Sequence, residues 1–303
     1  MKQLDLSLYP NLSYLKSSFT ANARVFNRSI DNQYERFGDN WLLDFESTLD
    51  VYCGNDFSII DRAVIAYNSF CLESIRLQAE FDKVLEYRVQ SYDDVVSAVY
   101  CNDDYMGSSY LPALFLTHYM WPHHYRLKLW VEANFIPLLS RDDINNFCDI
   151  GIGTGFYSWF LLQSNRKLKG NGFDISDSSI KHTRDLLTKY ELTNYNFVKD
   201  FISHKYGPFD SFVTVELLEH LDNPQEFLLD LRRSVKLKSL GLITAALDAP
   251  NRDHIYLYRT LEQVQEQIVT AGFSVINSVL FEAYKASGSS SVPKSACFIV
   301  ESI

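Results

Sequence analysis

The sequence of 303 residues has no excess of positive charge. Lys and Arg number 28 against 38 Asp and Glu, a formal net charge of −10. Nucleic-acid affinity rests on phosphate neutralisation, so this balance argues against a nucleic-acid partner. The basic clusters Arg232-Arg233 and Lys236-x-Lys238 are short. No apolar run approaches the ~20 residues of a membrane span. Met1 to Asp5 lacks the apolar core of a signal peptide, so the expectation is a cytoplasmic protein without a membrane partner. Cysteine is scarce: five, at 53, 71, 101, 148 and 297, none in a C-x-x-C pair. The odd number and wide scatter point to reduced thiols, and Cys148 reads as a core residue. There is no internal repeat. The single low-complexity stretch, Ser287 to Ser291, reads as a mobile connection between the last two strands.

Glycine is nearly absent before residue 140, where only Gly38, Gly54 and Gly107 occur. Strand-like alternation is equally rare there. What is present is helical spacing. Ile59, Ile60, Val64, Ala66, Tyr67, Phe70, Leu72 and Ile75 recur as one face of a long helix over 57–88. Ser91-Tyr92-Asp93-Asp94 reads as the capped start of a helix over 95–100. Residues 111–119 read as helical, and Pro122 opens another helix running to about Leu138. With 47% hydrophobic and 15% aromatic residues, the chain can build one large or two ordinary domains. The division expected is a helical N-terminal domain over 1–140 and a glycine-bearing core over 141–303. The first domain is expected to serve as a substrate lid, as a homodimer interface or only as a scaffold.

The core opens with Asn146 to Phe156, a buried strand breaking into a glycine-rich turn and then a helix. Gly151, Gly153 and Gly155 let backbone approach a ligand closely, and the helix start offers free N–H groups. Asp174 follows Gly155 by 174 − 155 = 19 residues, the spacing at which an acid reaches a ribose. The glycines fall as G-x-G-x-G rather than G-x-G-x-x-G. The carboxylate of Asp149 just before them suits a ligand carrying a cationic centre better than a pyrophosphate.

Asp149-x-Gly151-x-Gly153-x-Gly155 resembles the first motif of the class I S-adenosylmethionine (SAM) methyltransferases. The resemblance continues through residues 196–201, 209–215, 216–224 (E-L-L-E-H-L-D-N-P), 241–247 and 261–273, and is similar in the core to ubiquinone-biosynthesis-type O-methyltransferases. It implies a Rossmann-like α/β core: a seven-stranded, mostly parallel sheet whose last strand, near 294–303, is antiparallel. It implies SAM held by Asp149, Gly151, Gly153, Gly155, Asp174, Ile175, Asp200, Phe201 and Glu216. The E-x-x-E-H run, with His254 beyond the fifth strand, implies a divalent cation (Mg, Mn, Fe or Zn) on Glu216, Glu219, His220 and His254. If that run is helical, 216, 219 and 220 share one face. The metal-free alternative makes Glu219 a helix cap and His220 a base or a packing residue. Upstream, the run Thr117 to Arg126 offers His124 as a second base and aromatics for a substrate cavity. His220, His124 and Glu216 are thus the catalytic candidates. The implied activity is methyl transfer to a small-molecule acceptor, O-methylation first. Alternatives are an RNA 3′ end or a protein side chain as acceptor, or a SAM-binding regulatory or scaffold protein without catalysis.

Overall fold

A computed structural model describes residues 4–54, 56–88, 90–285 and 291–303. Of the stretch Ser287 to Ser291, expected as a mobile connection, residues 287–290 lie outside them.

The first 140 residues form helices. They are α1 (Pro10–Asn22), α2 (Ser29–Phe37), α3 (Asp39–Cys53), α4 (Ser58–Val84), α5 (Tyr92–Val95), α6 (Asp103–Tyr105), α7 (Leu111–Met120) and α8 (Pro122–Asn134). Wider π-type turns, Val96–Tyr100 and Met106–Tyr110, continue α5 and α6. Helix α4 follows the apolar stripe only in part: Ile60, Val64, Ala66, Tyr67 and Phe70 are buried, while Leu72 and Ile75 are exposed. The buried face runs on through Cys71, Leu77 and Phe81, so Leu72 and Ile75 fall on the outer side of the helix. Helix α5 starts at Tyr92, earlier than the spacing suggests, because Ser91 accepts the Asp94 N–H and fixes the first turn one residue on. Helix α8 stops at Asn134 rather than near Leu138. Pro137 removes a donor, and Ile136–Ser140 tightens into a 3₁₀ turn.

The core alternates strand and helix: β1 (Asn146–Ile150), α9 (Phe156–Ser164), β2 (Lys169–Phe173), α10 (Asp177–Lys189), β3 (Tyr195–Val198), β4 (Phe209–Thr214), α11 (Pro224–Ser234), β5 (Val235–Leu247), α12 (Leu261–Thr270), β6 (Phe273–Glu282) and β7 (Lys294–Ser302). The strands form one sheet in the order β3-β2-β1-β4-β5-β7-β6. β1 to β5 pair in parallel, and β7 lies antiparallel between β5 and β6. This is the expected Rossmann-like sheet. β4 is buried at every position, as a central strand covered on both faces must be.

The N-terminal helices cover one face of that sheet. A single apolar cluster runs from Leu12, Trp41 and Phe45 through Phe115 and Tyr119 to Phe147, Phe156 and Leu242. A second cluster, with Phe212, Leu228 and Ile268, fills the other face under α11 and α12. The carboxyl ends of β1, β2 and β4 therefore open beneath the helical layer, which is where ligands of open α/β sheets bind.

Candidate active site

The turn after β1 is built on left-handed backbone. Gly151, Gly153 and Gly155 have φ of +72°, +49° and +72°. A Cβ on Gly155 would stand 2.5 Å from the Thr183 side chain, so strain and space both exclude a larger residue. A Cβ on Gly153 would meet nothing nearer than the Gly151 carbonyl at 3.9 Å, so the top of the turn is open towards the cavity.

Asp174, just past β2, reaches over this turn. Its Oδ2 accepts the Gly153 N–H (3.1 Å) and its Oδ1 accepts the Ser176 N–H (2.8 Å). Burial pushes its carboxyl up to about 6, against those hydrogen bonds. Asp149 lies below, accepting the Ser158 hydroxyl at 2.5 Å, and Ser158 in turn meets Tyr195. Burial pushes Asp149 up to about 7; the Ser158 bond opposes this and the Asp174 charge adds to it. Ile175, Asp200 and Phe201 line the same cavity. Asp200 is already engaged: its oxygens take the Phe201 N–H (2.8 Å), Lys205 (2.8 Å) and the Tyr206 hydroxyl (2.6 Å).

The E-x-x-E-H run departs from the helical expectation. Glu216 has φ of +51°, and only Leu218–His220 forms a single 3₁₀ turn. The i, i+3, i+4 argument therefore does not hold. Glu216 turns to β5, where the Thr244 hydroxyl accepts its N–H (2.8 Å) and donates to its carboxylate (2.9 Å). Ligand atoms of Glu219, His220 and His254 instead lie within 4.8 Å of one another, and all three residues are buried. Glu216 stands outside that group.

The local chain explains the convergence. The Glu219 carbonyl accepts the N–H groups of Ile255 and Tyr256, both at 2.9 Å, which ties the 3₁₀ turn to the loop after β5. The imidazoles of His220 and His254 meet edge to face at 4.7 Å. His254 Nδ1 is held by the Ala249 carbonyl at 2.6 Å. His220 Nδ1 sits between the Tyr100 hydroxyl (2.9 Å) and the Asp253 carbonyl (3.0 Å). Each ring thus has its Nδ1 fixed and its Nε2 left over. Both carboxylate oxygens of Glu219 are buried without a hydrogen-bond partner among the described residues. Burial raises the Glu219 carboxyl and pushes His254 down to about 3, so His254 is neutral, the form that can donate a lone pair. Two imidazoles with anchored Nδ1 atoms and one orphaned carboxylate suit a divalent cation.

Several partners escaped sequence reasoning. Asp253 Oδ2 accepts the hydroxyls of Tyr110 (2.5 Å) and Tyr100 (3.1 Å) and lies 3.4 Å from His220 Nδ1. Tyr87 accepts the Ala249 N–H, and Gln90 donates to the Arg252 carbonyl. Four residues of the helical layer thus hold the loop that carries His254. The only sequence signal was that Asp253 adjoins His254; the tyrosines carry none. In the Thr117 to Arg126 run, His118 stacks on Phe156 at 4.0 Å and meets Thr154 of the glycine turn at 3.2 Å. His124 Nδ1 meets Thr117 at 3.0 Å, and burial pushes the ring down to about 4.

One cavity of about 690 Å³ joins these parts, from Asp149 and Asp174 through Glu216, Glu219, His220 and His254 to His124 and α4. Residues 148–238 match the family model described as a methyltransferase domain. This part of the core is a methyltransferase domain. Its fold is also that of the phosphoethanolamine N-methyltransferase 2 of Haemonchus contortus, solved with phosphomonomethylethanolamine and S-adenosylhomocysteine. That similarity has a TM-score of 0.51 at 15% identity, over 71% of this chain and 60% of the other. A SAM-dependent methyltransferase of Aquifex aeolicus is similar at 15% identity, over 70% of this chain and 99% of its own, with a TM-score of 0.42. No curated protein sequence matches the chain. Among the described residues, no helix is long and apolar enough to cross a membrane.

Proposed function

We propose that the chain methylates a hydroxyl of a small-molecule acceptor, with a divalent cation held by Glu219, His220 and His254. The observation carrying this reading is the buried, unpartnered Glu219 carboxylate beside two anchored imidazoles, in the same cavity as the Asp174 cradle. The ribose hydroxyls of SAM fit Asp174, whose carboxylate already stands over the open glycine turn. SAM supplies a methyl on a positively charged sulfur, electrophilic without further activation. A cation at the second site would lower the pKa of an acceptor hydroxyl and favour two neighbouring oxygens. Two imidazoles lean the choice towards Mn²⁺, Fe²⁺ or Zn²⁺ over Mg²⁺.

The residues then divide the work. The glycine turn and Asp174 fix the donor. His118 braces the turn from the helical layer through Thr154. Glu219, His220 and His254 hold the acceptor end so that oxygen faces methyl at about 3–3.5 Å, and positioning does most of the catalysis. Glu216, held by Thr244 between the two halves, is placed to receive the acceptor's proton; burial raises its affinity for one.

The test is Mn²⁺ titration of the purified protein, followed by calorimetry. One equivalent is expected to bind. Glu219→Gln is expected to weaken it by about 10–100-fold, leaving S-adenosylhomocysteine affinity unchanged. Native protein that takes up no Mn²⁺, Fe²⁺ or Zn²⁺ would reject the cation and leave His220 or His124 as a metal-free base.

A further inference from the structure

The half of the cavity beyond Glu216 is walled by rings and carries almost no positive charge. Phe70 on α4 packs near Tyr110 (6.0 Å) and Trp121 (5.8 Å), and Trp121 lies against His123 (5.4 Å) and His124 (5.0 Å). Ile75 and Tyr284 line it while staying 56% and 48% exposed, so an apolar rim faces solvent. Six carboxyl groups line the whole cavity: Asp149 and Glu219 are buried and Asp174 and Glu216 half-buried around the donor and cation sites, Asp200 is paired with Lys205, and Asp82 stands on the α4 side. Against them, the lining residues described include one ammonium, Lys294, and Asp248 faces it at 3.9 Å. The histidines do not redress this. Burial holds His118 and His123 well below their ordinary range and His124 at about 4, so these rings stay neutral.

From these walls we infer that the acceptor is an uncharged, flat, largely apolar molecule, and that the chamber rejects acceptors carrying a phosphate, sulfonate or carboxylate. The inference rests on the proposal that this half of the cavity receives the acceptor. A neutral ring system buries its faces against Phe70, Tyr110 and Trp121 and needs no counter-ion. An added anion must lose its water among rings and carboxyl groups, with no unpaired cation among the described lining residues to replace that water. The SAM sulfonium and a bound cation offset the carboxylates nearest the reacting atoms. They do not reach the α4 side, where Asp82 stands. Phosphorylated metabolites and RNA ends are excluded on the same ground.

The test uses a matched pair of probes, naphthalene-2,3-diol and its 6-sulfonate, titrated calorimetrically into protein saturated with S-adenosylhomocysteine. The neutral diol is expected to bind at least about tenfold more tightly than the sulfonate. Ser74, half-buried on α4 and facing the cavity, is no part of the donor or cation sites. Ser74→Lys is expected to raise sulfonate affinity by about tenfold and leave the diol within about twofold. A sulfonate that binds native protein as well as the diol, or a diol that does not bind, overturns the inference. The preceding S-adenosylhomocysteine titration shows separately whether the donor site is as described.

Discussion

At the residue scale, the account turns on buried carboxylates whose ionised form the ligand requires. Asp174→Ala removes a charged acceptor from the ribose and should weaken SAM binding by about 1.5–3 kcal/mol, read by calorimetry on a variant with an unchanged circular dichroism spectrum. The same residue predicts a pH dependence. Its carboxyl titrates at about 6 in the free protein, raised by burial. SAM favours the ionised form, so affinity should be level above that pH and weaken as pH falls through it. At pH 5 the loss should be about tenfold, one unit below the midpoint. Affinity that improves on acidification would contradict the assignment. Gly155→Ala should be worse than its one added methyl suggests, because φ is +72° and Thr183 blocks the space. These positions were legible in the sequence, because glycine spacing and a strand-terminal acid are local patterns. Glu219 and His220 were legible as residue types but not in geometry. Nothing local announces that Glu216 takes a left-handed φ of +51°, which breaks the helical register expected of 216, 219 and 220.

At the element scale, the loop after β5 is the part the sequence shows least. Its residues carry no periodicity, and its conformation is set by groups far away in the chain. Tyr87, Gln90, Tyr100 and Tyr110 of the helical layer meet Ala249, Arg252 and Asp253. If the cation site is as proposed, Asp253 would act through His220, which it faces at 3.4 Å, as a positioning residue. Asp253→Asn should lower kcat by about 10–100-fold and weaken Mn²⁺ binding, with SAM affinity unchanged. Equal losses in SAM and Mn²⁺ affinity would instead mean that the loop had collapsed. Tyr110→Phe should reproduce the direction with a smaller effect, since Tyr100 still donates to the same oxygen. The strands, by contrast, were readable as elements: β4 and β7 lie close to the expected 209–215 and 294–303, while β5 starts at Val235 rather than 241 and β3 ends at Val198 rather than 201. A central parallel strand is covered on both faces, and β1 and β4 are buried along nearly all their length. Helix ends were less so: α8 stops at Asn134 through a proline three residues later.

At the scale of the whole molecule, the helical layer and the sheet share one apolar cluster from Trp41 to Leu242. The helices also wall the cavity, through Phe70, Ser74, Leu114 and His118. This predicts a common unfolding transition. Tryptophan emission samples both regions, with Trp41 in α3 and Trp159 in α9, and should melt together with the far-ultraviolet circular dichroism signal. Saturating S-adenosylhomocysteine at about 100 times its Kd should add about 2.7 kcal/mol to that single transition. Two separated transitions would mean that the shared cluster does not couple the regions. The most direct test of the central claim is a crystal structure of the protein with S-adenosylhomocysteine and Mn²⁺, read by anomalous scattering. The account predicts ribose hydroxyls on Asp174 over the glycine turn, and one Mn²⁺ peak about 2.0–2.3 Å from Glu219, His220 and His254. A nucleoside bound away from Asp174, or a Mn²⁺ peak at any other residues, would contradict it.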